Sequence, residues 1–156
     1  MTVDEMSRIE RKVVIHAPRE RVWRALTTLA EFGQWFGVKA DGEFQAGARV
    51  RMVSTHPGYE GMAFEVAVEK MEPPHTFSWR WHPGAKEPGV DYSNEPTTLV
   101  TFHLAEVEGG TEVTVLETGF ERIDVARRAK VFSDNTGGWE YQVGSIARYV
   151  HASVDQ

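Results

Sequence analysis

The 156-residue chain contains no cysteine, which removes disulfides, thiol nucleophiles and thiolate metal sites and is compatible with a cytoplasmic protein. No apolar run approaches the roughly 20 residues that cross a bilayer, and residues 1–8 lack the cationic-then-apolar layout of an export signal. Neither membrane association nor export is expected. Positive charge is in deficit: 17 Lys and Arg against 23 Asp and Glu leave a net charge of -6. That is the wrong sign for nucleic acid, whose phosphate backbone is held by clustered cations, and Arg127-Arg128 with Lys130 reads as a solvated helix face. The six histidines, at 16, 56, 75, 82, 103 and 151, include no pair at i, i+2 or i, i+4, so no local metal site is legible. There is no Gly-x-Ser-x-Gly elbow, and Gly109-Gly110-Thr111 leads into a strand pattern and not the helix a phosphate loop needs. No catalytic set and no cofactor are therefore expected.

What the chain does have is clear periodicity. Trp139, Val143, Ile146, Ala147 and Val150 fall at i, i+4, i+7, i+8 and i+11, one face of an amphipathic helix that needs a surface to cover. Upstream, Ile9, Arg11, Val13 and Ile15 alternate with polar neighbours as a first strand, which stops at Ala17-Pro18 because proline suits the first turn of a helix better than a ladder. Val22, Ala25, Leu26 and Leu29 predict a short helix to about residue 28, and a second runs over 30–36 until Gly37. Strand patterns follow at 42–45, 48–54, 62–69, 77–82, 98–104 and 111–118. The stretch 83–96, with three prolines and no periodicity, predicts a long loop. Asp124 is placed to cap a short helix to about residue 132, and Ser133 or Asp134 to cap the terminal one. Gly137-Gly138, costing about 1 kcal/mol each inside a helix, suggests a kink or a close backbone approach.

Four segments, Ile15-His16-Ala17-Pro18-Arg19-Glu20-Arg21-Val22-Trp23, Gln34-Trp35-Phe36-Gly37, Thr118-Gly119-Phe120 and Gly138-Trp139, together resemble the START-like (SRPBCC) superfamily. Within it they look most like the AHSA-like branch, named after the activator of the heat-shock-protein ATPase homologue. The resemblance runs from about Arg8 to Ala152. It implies an α+β helix-grip fold: a curved antiparallel seven-stranded sheet, two short helices and a long C-terminal helix, with the first strand beside the seventh. It also implies a deep apolar cavity between helix and sheet, but no catalytic set. The eukaryotic co-chaperone of this branch has a separate N-terminal chaperone-binding domain, for which the residues before the first strand leave no room, so residues 1–156 are expected to form one domain.

Glu117 continues the apolar face of Val113 and Val115, a costly position unless something pairs with it. Arg11 is the expected partner if the first and last strands are antiparallel neighbours. The pair then either fixes strand register or orients a polar group of a ligand. Phe64, Trp79, Trp81, Phe102 and Trp139 are expected either to pack the core or to line the cavity. His56, Tyr59 and Tyr92 lie in loops expected at its mouth. The leading expectation is a protein that binds a small, largely apolar molecule. The alternatives are an enzyme on an apolar substrate with Glu117 as general base, and a co-chaperone-like surface around Leu99 and Leu116, which would equally serve a homodimer.

Overall fold

A computed structural model describes residues 7–84 and 91–154. Strand β1 (Arg8–Ile15) leads to helices α1 (Arg19–Thr27) and α2 (Leu29–Phe36), then to β2 (Val38–Lys39), β3 (Arg49–Ser54), β4 (Ala63–Glu72), β5 (Thr76–Trp81), β6 (Thr98–Val107) and β7 (Gly110–Thr118). A short 3-10 turn at Phe120–Arg122 precedes the terminal helix α3 (Val125–Val154). The strands form one antiparallel sheet in the order β1-β7-β6-β5-β4-β3-β2, so the first strand does lie beside the seventh. This is the helix-grip arrangement expected.

The strand phases follow the alternation in the sequence. Ile9 and Ile15 on β1, Phe77 and Trp79 on β5, Val100, Phe102 and Leu104 on β6, and Val113 and Val115 on β7 are all buried on the concave face. Burying side chains of this size stabilises the fold by about 1.5–3 kcal/mol each. Leu99 and Leu116, on the opposite face, are half-buried.

Two expectations need correction. Residues 42–45 form no strand; Phe44 there is a buried plug, its ring 5.2 Å from Phe32 and 5.0 Å from Phe77. The edge pairing is made instead by the two residues of β2, which follow Gly37, whose left-handed backbone (φ 82°) ends α2. The C-terminal region is also one helix of 30 residues and not two. Asp124 caps it, accepting a hydrogen bond from Ala126 N at 3.0 Å. Gly137 and Gly138 lie inside it, and a Cβ at either would meet nothing within 4 Å, so no close backbone approach explains them.

The buried stripe of α3, with Val131, Trp139, Ile146, Ala147 and Val150, matches the spacing read from the sequence. Polar contacts fasten it to the short helices. Ser145 Oγ donates to Trp35 O at 2.7 Å and Gln142 Nε2 to Phe36 O at 3.0 Å, satisfying carbonyls at the end of α2 that have no partner within their own helix. Further along, Tyr149 Oη donates to Glu31 at 2.8 Å, and Arg21 meets the same carboxylate at 2.9 Å. Burial, followed by that hydrogen bond to Glu31, pushes the Tyr149 hydroxyl above the ordinary phenol range. No helix among the described residues is long and apolar enough to cross a membrane.

Candidate functional site

Glu117 is completely buried on the inner face of β7. A charge there requires compensation, and the surrounding elements each supply a donor. Trp81 Nε1 from β5 donates to Oε2 at 2.8 Å, and Thr98 Oγ1 from β6 to the same oxygen at 2.5 Å. From α3, Trp139 Nε1 donates to Oε1 at 2.8 Å, and Asn135 Nδ2 spans both oxygens at 3.0 and 3.3 Å. Indole and amide N–H groups can only donate, so the set matches a carboxylate, and it pins α3 to the middle of the sheet.

The expected partner is elsewhere. In the β1–β7 register Ile9, and not Arg11, stands opposite Glu117; Arg11 faces Val115, about 7 Å further along the strand. Its guanidinium meets Glu140 on α3 at 3.2 Å and donates to Glu10 O at 2.8 Å. Glu117 is therefore held by neutral donors, and among the described residues none of its hydrogen-bond partners is a cation.

Beside this cluster a cleft of about 590 Å³ opens between α3, the end of β5 and the β3–β4 connection. That volume is in the range of small-molecule sites. Helix α2 contributes Phe36, the β3–β4 region His56, Tyr59, Met62 and Phe64, and the end of β5 Trp81, His82 and Pro83. Helix α3 contributes Lys130, Asp134, Asn135, Gly138, Tyr141 and Gln142. Trp81 and Asn135 thus serve twice, lining the cleft while their N–H groups hold Glu117. Lys130 and Asp134 pair with each other at 3.0 Å. A larger groove of about 950 Å³ runs beside α2 and β2, but no aromatic ring and none of the candidate ligand-binding residues line it.

Of the aromatic residues read as wall or core, Phe64 and Trp81 line the cleft. Trp79, Phe102 and Trp139 are buried deeper; the Trp79 ring lies 5.8 Å from Phe32, 5.3 Å from Phe102 and 6.4 Å from Trp139. The space under the middle of the helix grip is therefore filled with rings, and the hollow lies at one end of it. His56 and Tyr59 border the cleft, with the His56 ring 6.1 Å from Tyr59 and 5.4 Å from Tyr141. Tyr92 stacks under the Arg127 guanidinium at 5.0 Å, outside the lining. Arg127 also pairs with Glu95 and donates to the carbonyls of Pro83 and Gly84, holding the described ends of the β5–β6 connection against α3. The rest of that connection, residues 85–90, lies outside the described residues.

Thr98 and Asn135 were not singled out in the sequence. Asn135 had a usable signal, since it stands four residues before Trp139 and so shares its helix face. Thr98 had its phase, since alternation with Val100, Phe102 and Leu104 turns it inward, but nothing tied its hydroxyl to Glu117.

Residues 16–151 match the model of the family described as Activator of Hsp90 ATPase homolog 1-like protein. A crystallised protein from Rhodobacter sphaeroides is similar at 25% identity and a TM-score of 0.71, covering 95% of this chain and 94% of its own. One from Mesorhizobium loti shares 22% identity with a TM-score of 0.73, over 94% of this chain and 98% of its own. The Aha1 dimer from Colwellia psychrerythraea, solved in solution, shares 19% with a TM-score of 0.69, over 92% and 95%. No curated protein matches the sequence.

Proposed function

Because the chain belongs to the Activator of Hsp90 ATPase homolog 1-like family, we propose, with that fold as the premise, that its cleft holds a small, largely apolar molecule. The observation that carries this reading is the cleft of about 590 Å³, in which Phe36, Met62, Phe64 and Trp81 give apolar surface beside polar side chains from α3 and the β3–β4 connection. A guest burying about 300 Å² of apolar surface would gain about 7 kcal/mol before the costs of ordering it. Catalysis with Glu117 as general base fits less well. Its two oxygens already accept from four groups, which leaves no free lone pair directed at a substrate.

The test uses the neutral fluorophore N-phenyl-1-naphthylamine and a variant that fills the cleft. Gly138 lines the cleft and a Cβ there meets no atom within 4 Å, so Gly138→Trp places an indole in the cavity without displacing the backbone. Saturable enhancement of emission with the wild type, lost in Gly138→Trp, is the expected result. No saturable binding, or binding indifferent to Gly138→Trp, would remove the proposal.

A further inference from the structure

We propose that the cleft selects guests whose apolar body carries a protonated amine. This rests on the reading of the cleft as a binding site and adds the chemistry of its occupant.

Three observations converge on a cation. The first is Glu117: completely buried, held only by neutral donors, and without a cationic hydrogen-bond partner among the described residues. Neutral donors stabilise a carboxylate locally but leave its net charge in place, and in a poorly polarisable interior that charge is felt further than in water. Trp81 and Asn135 separate it from the cleft by the thickness of one side chain. Lys130 does not offset it, being matched to Asp134.

The second is the aromatic wall. Trp81 and Phe64 lie 5.9 Å apart and nearly perpendicular, at 70°, and π-faces attract ammonium groups, indole most strongly. The Trp81 N–H donates to a carboxylate, which pushes electron density into the ring and strengthens that attraction. Tyr141 on the rim already stacks with the Arg148 guanidinium at 5.9 Å, whereas Trp81 and Phe64 stand with Phe36 on the apolar side of the lining.

The third is Gln142. Its Nε2 is committed to Phe36 O, and its Oε1 is buried without a hydrogen-bond partner. An unmet buried acceptor on a residue of the cleft wall wants an N–H donor, which a protonated amine supplies and a carboxylate does not.

The experiment is calorimetric titration at pH 7 with 4-phenylbutylamine, 4-phenylbutanol and 4-phenylbutanoate, three guests with one apolar body. The amine should bind at least about tenfold more tightly than the alcohol, and the carboxylate most weakly. The preference of amine over alcohol should shrink to less than about threefold in Glu117→Gln and to a smaller extent in Gln142→Met. Equal binding of amine and alcohol, tighter binding of the carboxylate, or an unchanged preference in folded Glu117→Gln overturns the inference while leaving the cleft a binding site. If none of the three binds and the naphthylamine fluorophore also fails, the reading of the cleft falls with it. Should Glu117→Gln not fold, the wild-type series and Gln142→Met decide.

Discussion

Replacing Glu117 with glutamine changes one oxygen of the buried carboxyl to an amide nitrogen and tests how the cluster under α3 is held. On either side of the carboxyl the amide nitrogen meets one donor that cannot reverse and one partner that can. Placed where Oε1 was, it faces the Trp139 N–H, which cannot reverse, and the Asn135 amide, which can turn its Oδ1 to accept. Placed where Oε2 was, it faces the Trp81 N–H and the Thr98 hydroxyl, and the hydroxyl can turn to accept. Either orientation leaves one buried indole donor, Trp139 Nε1 or Trp81 Nε1, without an acceptor. An orphaned buried donor costs about 1–3 kcal/mol, and the remaining bonds lose the benefit of a charged acceptor, about another 1 kcal/mol. The variant should therefore lose about 2–4 kcal/mol, equivalent to about 4–16 °C in Tm for a chain of this length. Urea unfolding followed by tryptophan fluorescence measures this, with the m-value unchanged if the transition remains two-state. A loss below about 1 kcal/mol would mean that water satisfies these donors and that Glu117 is not sealed inside the protein.

Other consequences follow from the same contacts. Arg11→Met should cost less than about 1 kcal/mol in the same urea assay, because Arg11 pairs with the exposed Glu140 and such pairs contribute little; a loss as large as that of Glu117→Gln would restore Arg11 as a partner of the buried carboxylate. Gly137→Ala should stabilise α3 by about 0.5–1 kcal/mol, since its added methyl meets no neighbour, and a lower Tm would show that the backbone there departs from a regular helix. Tyr149 has its hydroxyl pushed up by burial and by Glu31, so the folded state favours the protonated phenol. The resulting contribution is complete below about pH 10 and is lost as pH rises through the raised value. Tyr149→Phe should accordingly flatten the alkaline fall in stability, and an unchanged alkaline limb would contradict this.

Much of the fold was legible because alternation along a strand reports which face is buried. The inward phase of Ile9, Trp79, Phe102 and Val113 and the stripe from Trp139 to Val150 all follow from it. Alternation does not report depth along the strand. Trp79 and Trp81 share a face, yet Trp79 lies beneath α2 among other rings and Trp81 at the end of the sheet borders the cleft. The same limit explains Arg11: its face was legible, but the register that sets Ile9 against Glu117 depends on turns and packing across the 107 residues between them. Glu117 stood out as an acid on an apolar face, whereas its donors come from three elements distant in sequence. Gly137-Gly138 suggested a kink or a close backbone approach because local propensity disfavours them in a helix; burial of Val131 and Trp139 on either side and the Asn135 bond to Glu117 hold the helix through them.

The claim on which the rest depends is the location of the guest, which intermolecular nuclear Overhauser effects to bound N-phenyl-1-naphthylamine report directly. Contacts from the guest to the Trp81 indole, the Phe64 ring and the Gly138 Hα protons, with none to Trp79 or Phe102, are predicted. Contacts confined to other surfaces, or to Trp79 and Phe102 in the filled interior, would contradict it.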